Sequence, residues 1–192
     1  MEFAHMMDID LDRVKIETEL PIIARIKDDL YPYEGYDHIR QTARAIAENE
    51  EGKLGFLHIV GEDLFGMRDH LESCGGGIEE GEGIYEALLR EIQEEMGYEA
   101  KEVEMLGCIL DAYNLIGRIT LSTYGHVLLD TKHPIQKHRT KEEEILISEI
   151  VWLDPLEALD WLENRHPHKV DQLVQRRDAA ALRYYLQIKG LI

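Results

Sequence analysis

Apolar residues occur along the chain in short runs that are separated by polar, turn-forming segments. Six runs have the length and composition of β-strands: Leu20–Ile26, Ala43–Ala47, Leu54–Val60, Val103–Leu110, Ile119–Leu129 and Ile145–Leu153. A further strand is expected to approach Leu71. Because the turn-forming sequence Asn-Glu-Glu-Gly occupies residues 49–52, the second and third runs are predicted to form a hairpin.

Three other segments have helical patterns. Within Ile84–Met96, apolar residues recur on one side of a helix, at Tyr85, Leu88, Leu89, Ile92 and Met96. The segment Asp154–Leu162 predicts a short helix, because its second residue is a proline, which is favoured in a first helical turn. Lys169–Ile188 predicts a terminal helix. Strands with a few helices between and after them indicate an α+β (mixed α/β) fold, in which helices pack on a mixed sheet.

The length of the chain favours a single core. Its 192 residues suffice for one domain, and no Pro/Gly/Ser-rich linker separates two halves. A turn-rich patch at residues 30–35 follows the first apolar run. We therefore expect an N-terminal extension, residues 1–39, which could contribute a strand, and a main domain, residues 40–192, which ends in the terminal helix.

The chain is strongly acidic, with 39 acidic against 21 basic residues and a net charge of −18. Such a surface repels phosphate backbones and anionic lipids, so neither duplex nucleic acid nor a membrane is an expected partner. The segment Met1–Asp12 lacks the pattern of a secretory signal, and Cys74 and Cys108 lack disulfide or zinc spacing. These features predict a cytoplasmic protein. The excess of acidic residues is explained either by a solvated surface or by a site that binds a cation.

Three glutamates crowd the end of the predicted helix Ile84–Met96. Glu91, Glu94 and Glu95 are spaced i, i+3 and i+4 just before Gly97, where like charges repel and the helix dipole disfavours anions. A divalent cation would remove both penalties, because ions such as Mg²⁺ prefer carboxylate oxygens. The alternative is a solvated acidic helix face.

Two neighbouring features favour the cation. The three glycines Gly75–Gly77 are not expected to form regular structure, because glycine loses the most chain entropy on ordering. A loop of this kind can present backbone carbonyls to a metal or let a phosphate approach the chain. Arg90 lies four residues before Glu94 and can hold its carboxylate in a bidentate pair, although an ordinary surface ion pair explains the same spacing.

The fixed positions of this region form one motif. With U for a bulky aliphatic residue, the spacing G-x5-E-x7-R-E-U-x-E-E-x-G-U is matched by Gly76, Glu82, Arg90, Glu91, Ile92, Glu94, Glu95, Gly97 and Tyr98. The segment resembles the signature of the Nudix hydrolase family. Tyr98 departs from the last aliphatic position, which has a packing role, and Cys74 stands where many members have proline. The flanking strands and Trp152 resemble the family's layout over roughly residues 40–165.

This resemblance implies a fold and a chemistry. The Nudix fold is a mixed β-sheet sandwiched between helices, with the motif as a loop, a helix and a loop. Family members typically hydrolyse a diphosphate that is linked to another moiety, often a nucleoside, with Mg²⁺ or Mn²⁺ as cofactor. The expected partner is therefore a small-molecule diphosphate.

The motif also implies roles for individual residues. Carried over by position, the metal ligands are Glu91, Glu94, Glu95 and the carbonyl of Gly75. Arg90 becomes the residue that orients the glutamates, while Gly76 and Gly97 are structural positions. Glu82 matches a glutamate that is commonly peripheral to the metals, and a capping role near the helix start is sufficient to explain it.

Hydrolysis needs a general base, and family members differ in which glutamate serves. We favour Glu91 as base or shared ligand, with Glu144 as the second candidate. Glu144 ends the charged segment Lys132–Glu144, which we expect to be a loop before the last strand. A solvated loop is the simpler explanation of its acidic triplet, Glu142–Glu144.

The sequence identifies the residues that select the substrate much less clearly. Side chains that could stack on a base or meet a phosphate, but that packing or a surface position explains as well, are Tyr33, Tyr36, Tyr113, Arg44 and Arg118. The locally basic stretch Lys132–Lys141, with His133, His138 and Arg139, could form a phosphate-gathering lid. The basic terminal helix indicates an exposed face or a partner surface. Residues before Arg40 could serve dimerisation, so a homodimer is compatible with the sequence.

The leading hypothesis is a cytoplasmic, metal-dependent hydrolase that cleaves a phosphoanhydride in a nucleoside-diphosphate-linked small molecule. One alternative is a non-catalytic Nudix-fold module that senses a nucleotide metabolite, but such regulators usually carry a DNA-binding domain and an eroded motif. A second alternative is an isomerase of isopentenyl diphosphate, which shares the fold but needs a catalytic cysteine and a modified motif.

Overall fold

The apolar runs form the strands of one mixed sheet in the computed structural model, which describes residues 10–192. The strands are β1 Ile22–Ile26, β2 His38–Glu48, β3 Leu54–Asp63, β4 Gly66–Glu72, β5 Gly75–Gly77, β6 Glu99–Tyr113, β7 Arg118–Asp130 and β8 Ile147–Leu153. Their order is β1-β6-β7-β2-β3-β4, with β5 paired to β2 and β8 paired to β3. Of the N-terminal segment in which no secretory signal is expected, residues 1–9 lie outside the described part.

Four α-helices occur in residues 10–192: α1 Ile84–Glu91, α2 Lys141–Leu146, α3 Pro155–Asn164 and α4 Lys169–Ile188. A π-helical turn, Ile92–Met96, continues α1, so the predicted helix has the expected extent but a wider last turn. Gly97 ends this turn at a φ of 74°, a left-handed conformation that glycine adopts without steric cost.

Alternate residues of β2 face two helical layers. Three small side chains, Ala43, Ala45 and Ala47, pack in the same buried cluster as Leu88 and Ile92 of the helix that begins with α1. Ile46 lies on the opposite face, in a cluster with residues of α3 and α4. Strands β1 and β6, and β2 and β7, are parallel, whereas the other pairs are antiparallel. The predicted α+β fold, with a mixed sheet between helices, is confirmed.

The glycine triplet was expected to be irregular, and this expectation is wrong. Gly75–Gly77 forms strand β5 and pairs antiparallel with Thr42–Arg44 of β2. Strand β2 pairs with β3 only through its last two residues, Ala47 and Glu48. Because β3 leaves β2 after this short contact, hydrogen-bonding groups of β2 are free to bind the glycines, and this pairing offsets their entropy cost.

The segment expected to be a loop before the last strand contains a helix. Residues 141–146 form α2, and β8 begins at Ile147 rather than Ile145. The Thr140 hydroxyl accepts a hydrogen bond from the Glu143 N–H, and the Glu143 carboxylate accepts one from the Thr140 N–H. This reciprocal capping box stabilises the short helix, so the acidic triplet lies on a helix instead of a loop.

The basic residues of the terminal helix α4 contact groups of the same chain, and the side chains of Arg176 and Arg183 stay 39% and 48% exposed. Its Arg177 is 3% exposed and donates hydrogen bonds to Tyr124, Asp178 and Glu72. Three further basic residues of α4 each lie against one group: Arg176 with Asp29, Arg183 with Glu163 and Lys169 over the ring of Tyr31. These contacts join α4 to strands of the sheet, to α3 and to the segment before β2, and the expected partner surface stays a prediction. No helix of residues 10–192 has the length and apolar character needed to cross a membrane.

Candidate active site

The glutamate-bearing helix end faces strand β5 at a very short distance. A Cβ atom on Gly76 would lie 2.5 Å from Oε1 of Glu91, so only glycine lets this carboxylate approach the strand. The N–H of Gly75 donates a 2.9 Å hydrogen bond to Oε2 of Glu95. The structure thus brings together the predicted residues Gly75, Gly76, Glu91 and Glu95 at the point where β5 meets the helix.

Arg90 holds several groups of the motif at once. Its guanidinium forms a bidentate pair with Glu82, at 2.8 and 3.0 Å, and not with Glu94 as expected. Single hydrogen bonds reach Glu91 at 2.8 Å and Glu94 at 3.1 Å, and a further bond reaches the carbonyl of Gly77 at 2.9 Å. Arg90 therefore fixes the rotamers of two candidate ligands and joins the helix to β5.

Glu82 has a different function from the expected helix cap. The N-cap of α1 is Gly83, whose N–H is bound by the carboxylate of Glu86. Hydrogen bonding to Arg90 lowers the pKa of Glu82 to about 2. Glu82 therefore remains ionised at any physiological pH and anchors the guanidinium of Arg90. The capping interpretation was wrong because it considered only neighbours in the sequence.

Two of the three helix-end glutamates are buried. Glu91 and Glu95 are each 7% exposed, whereas the side chain of Glu94 keeps 35% of its surface in solvent. Burial raises the pKa of Glu91, and it raises that of Glu95 to about 8. Ionised carboxylates are costly in such surroundings unless an opposite charge compensates them. The site is therefore suited to a cation.

The donor atoms fit a hard divalent cation. Carboxylate oxygens of Glu91, Glu94 and Glu95 and the backbone of Gly75 are the oxygen ligands that Mg²⁺ and Mn²⁺ prefer. Among residues 10–192, no three acidic, histidine or cysteine side chains already converge as a metal-binding group. The reason lies in the hydrogen bonds, because Glu94 is turned to Arg90 and Glu95 to the Gly75 N–H.

Helix α2 adds acidic residues beside this site. A groove next to Glu95 is lined by Glu142 and Glu143, together with Arg68 and Glu72 from β4. The lining of this groove does not include Glu144, the predicted second general base, although α2 carries all three acidic residues. Of the triplet, Glu143 acts on Glu91 electrostatically and contributes to its raised pKa, after burial as the main cause.

The basic stretch expected to be a lid instead binds the end of the glutamate-bearing helix. The N–H groups of Ile135 and His138 donate to the carbonyls of Gly97 and Glu94, at 2.8 and 3.1 Å. Arg139 donates through Nε and Nη2 to the carbonyl of Glu95, at 2.9 and 2.7 Å. Cations and N–H donors stabilise a helix C-terminus, whose last carbonyls lack helical partners. The sequence gives no signal for this contact, since 44 residues separate Arg139 from Glu95.

Replacement of Arg139 by glutamine is expected to lower the free energy of unfolding by about 1–3 kcal/mol, because the Glu95 carbonyl loses charged donors. Chemical denaturation of the variant measures this loss. The control is Lys132→Gln, which removes one positive charge from an exposed position of the same stretch and should change stability by less than about 0.5 kcal/mol. Equal losses in the two variants would contradict the anchoring role of Arg139.

The remaining substrate candidates lie in two separate places. Tyr33 and Tyr36 contact each other, with ring centroids 5.0 Å apart, and line a cleft near Asp28 that does not include the helix-end glutamates. Arg44, Tyr113 and Arg118 line a different pocket, next to β4 and the start of α4. The sequence does not predict that these three residues share a pocket, because their strands become neighbours only in the folded sheet.

Comparison with known structures agrees with the fold. Three solved structures share the fold: the E. coli ORF135 protein (22% identity, TM-score 0.56, covering 80% of this chain and 93% of that one), an ADP compounds hydrolase (22%, 0.58, 80% and 76%) and a NUDIX hydrolase from Nitrosomonas europaea (21%, 0.54, 78% and 94%). No curated protein matches the chain significantly. Fold and site together define a Nudix-type domain.

The family follows from the sequence match. A family model described as NUDIX domain matches residues 38–175, well over half of the chain. The chain therefore belongs to the Nudix hydrolase family, whose enzymes act on pyrophosphate bonds of small molecules, and the predicted family is confirmed.

Proposed function

We propose that this protein hydrolyses a diphosphate bond in a nucleoside-diphosphate-linked small molecule, with Mg²⁺ or Mn²⁺ as cofactor. The observation that carries the proposal is the contact of Glu91 and Glu95 with the glycine strand β5. Burying an ionised carboxylate beside the backbone lowers the stability of the folded protein unless an opposite charge is close. A bound cation supplies that charge. The name of one structural neighbour, ADP compounds hydrolase, supports a nucleotide substrate.

Each motif residue has a defined task in this proposal. Glu91, Glu94 and Glu95 would hold the cations, with the carbonyl of Gly75 as a further ligand. Bound cations neutralise phosphate oxygens and lower the pKa of water. Arg90 keeps Glu91 and Glu94 in place through its hydrogen bonds to both.

The general base must lie within reach of the attacking water. We propose Glu91 for this task, as the base or as a ligand shared with the cations, because it lies against β5 and is enclosed by protein. Glu144 remains the second candidate from the sequence. Its neighbours Glu142 and Glu143 line the groove beside Glu95 and therefore join it as alternatives on α2.

A substrate panel tests the proposed function. Purified protein with Mg²⁺ or Mn²⁺ is expected to release phosphorylated products from at least one member of a set of NDP-sugars, ADP-ribose, dinucleoside polyphosphates and nucleoside triphosphates. Chelation with EDTA should abolish the release and added metal should restore it. Binding of a nucleotide without any product would favour the sensor alternative, and turnover of isopentenyl diphosphate would favour the isomerase. Either result would overturn the proposal.

The cellular setting is part of the same proposal. Both cysteines are buried and unpaired, and burial raises the pKa of the Cys74 thiol well above its usual value. Thiols of this kind are compatible with a reducing cytoplasm, which we propose as the location. We also propose a homodimer that uses the N-terminal extension, because β1 stands at one end of the strand order.

A further inference from the structure

A pocket of about 180 Å³ lies beside the glutamate site and is lined by arginines. Its charged lining consists of Arg40, Arg44, Arg68, Arg118, Arg177 and Glu72. The walls between these groups are apolar and include Phe65 and Val174. So many guanidinium groups around one small space require an explanation, since like charges repel most strongly where protein excludes water.

Three of the five arginines are compensated by carboxylates. Arg44 and Arg177 pair with Glu72, at 2.9 and 3.2 Å. Arg68 pairs with Asp63 at 2.9 Å and with Asp171 at 2.7 Å. These pairs connect β2, β4 and α4, so they account for three guanidinium groups as parts of the fold.

Arg40 and Arg118 have no such explanation. Neither forms an ion pair with any residue in the described range 10–192, and the contact recorded for Arg118 is with the ring of Tyr113, at 5.7 Å. Nε of Arg118 is buried without a hydrogen-bond partner. Burial lowers the pKa of both groups, and the repulsion between the two arginines lowers that of Arg118 further. Two neighbouring cations thus line the pocket without an ion-pair partner among residues 10–192, and one of them, Arg118, has a buried donor without a hydrogen bond.

The pocket borders the glutamate site. A Cβ atom on Gly77 of β5 would lie 3.0 Å from Nη2 of Arg40, so this guanidinium contacts the glycine strand. Arg68 and Glu72 line both the pocket and the groove that contains Glu95. One molecule could therefore reach from the glutamates into the pocket.

We propose that Arg40 and Arg118 bind a second phosphate group of the substrate, one that is not part of the cleaved diphosphate bond. The guanidinium fork matches phosphate oxygens, and a dianionic group would compensate the two unpaired charges. This inference rests on the proposed function and narrows the substrate class. The preferred substrates are diphosphates that carry an additional phosphate, and not those that end in a neutral sugar.

Matched substrate pairs test the inference. The pairs are coenzyme A with dephospho-coenzyme A, ADP-ribose 2′-phosphate with ADP-ribose, and diadenosine tetraphosphate with diadenosine diphosphate. The protein is expected to cleave the more phosphorylated member of at least one pair with a kcat/KM at least about tenfold higher. In Arg118→Gln and in Arg40→Gln this preference should fall by about tenfold, toward equal kcat/KM values for the two members, which is within the usual effect of losing a charged hydrogen bond.

Arg183→Gln is the matched control, because it removes the same charge from an exposed pair with Glu163. Its selectivity should equal that of the unmodified protein. Arg40 is more exposed than Arg118, so its variant keeps the test decisive if Arg118→Gln folds poorly. An unmodified protein without preference, or variants that keep the preference, would overturn the inference.

Binding of inorganic phosphate separates this inference from the proposed function. Calorimetry without metal should show phosphate binding that weakens at least about tenfold in Arg118→Gln and is unchanged in Arg183→Gln. If the substrate panel shows no hydrolysis but phosphate still binds through Arg118, the proposed function fails and the pocket stands. If hydrolysis occurs and Arg118→Gln changes neither selectivity nor phosphate binding, only the pocket assignment fails.

Discussion

Replacement of Glu94 by glutamine is expected to lower kcat by at least about 100-fold while the fold stays intact. The substitution keeps the shape of the side chain and its hydrogen bond to Arg90 but removes the negative charge that a divalent cation needs. Loss of a residue that merely orients a ligand costs about 10- to 100-fold, so loss of a ligand should cost more. Initial rates with the best substrate of the panel, at saturating Mg²⁺, measure the effect.

Stability and metal binding provide the internal checks. Since the Glu94 side chain is 35% exposed, the melting temperature in EDTA should change by no more than about 2 °C. The matched control is Glu80→Gln, an exposed glutamate of the same motif segment, which should keep nearly normal activity. Near-normal turnover in Glu94→Gln would remove Glu94 from the set of metal ligands.

The fold, and the place of the three glutamates at a helix end, could be predicted because local patterns determine them. Strand runs alternate or continue over several residues, and the helix Ile84–Met96 has a clear apolar side. The crowding of Glu91, Glu94 and Glu95 is itself a local signal, because nearby carboxylates oppose a helix end unless something binds them. The sequence therefore placed these glutamates at a helix end, whereas their role as metal ligands stays a prediction.

The surroundings of the site could not be predicted because they depend on contacts between distant segments. Arg90 lies eight residues from Glu82, beyond the i, i+4 spacing of neighbours on a helix, and its bidentate pair is with Glu82 instead of the expected Glu94. Arg139 reaches the helix end from a loop. Arg40 and Arg118 meet only because β2 and β7 are parallel neighbours. The apolar periodicity of a single segment does not predict such contacts between distant segments.

Glycine strand β5 shows how a local rule can mislead. The entropy lost on ordering three glycines opposes a strand at this place, yet β5 forms and pairs with β2. The residues are glycines because neighbouring atoms leave no room for side chains. At Gly75 the requirement comes from the backbone of β2, and at Gly76 it comes from the carboxylate of Glu91. The two positions should therefore respond differently to the same substitution, one in stability and the other in activity.

Gly75→Ala is expected to destabilise the protein by about 3 kcal/mol or more. The new Cβ would lie 2.2 Å from the carbonyl oxygen of Ala43, and the φ of 144° is unfavourable for alanine. Backbone atoms of a paired strand cannot move aside, so strain and overpacking add. Chemical denaturation measures the loss. Gly66→Ala is the control, because its φ of 108° is also positive but nothing lies within 4 Å of its Cβ position. An equal loss in both variants would show that the close approach to β2 is unimportant.

Gly76→Ala is expected to cost less stability than Gly75→Ala and to remove most of the activity. Its Cβ would lie 2.5 Å from Oε1 of Glu91, at the end of a side chain that can shift although the shift disturbs its hydrogen bond to Arg90. The free energy of unfolding should therefore fall by about 1–2 kcal/mol. Displacement of the carboxylate by about 1 Å should nevertheless lower kcat by about 100-fold, because catalytic groups must keep their geometry closely. A Gly76→Ala protein with full activity would show that Glu91 does not act from its position against β5, and the general-base role would then pass to the glutamates of α2.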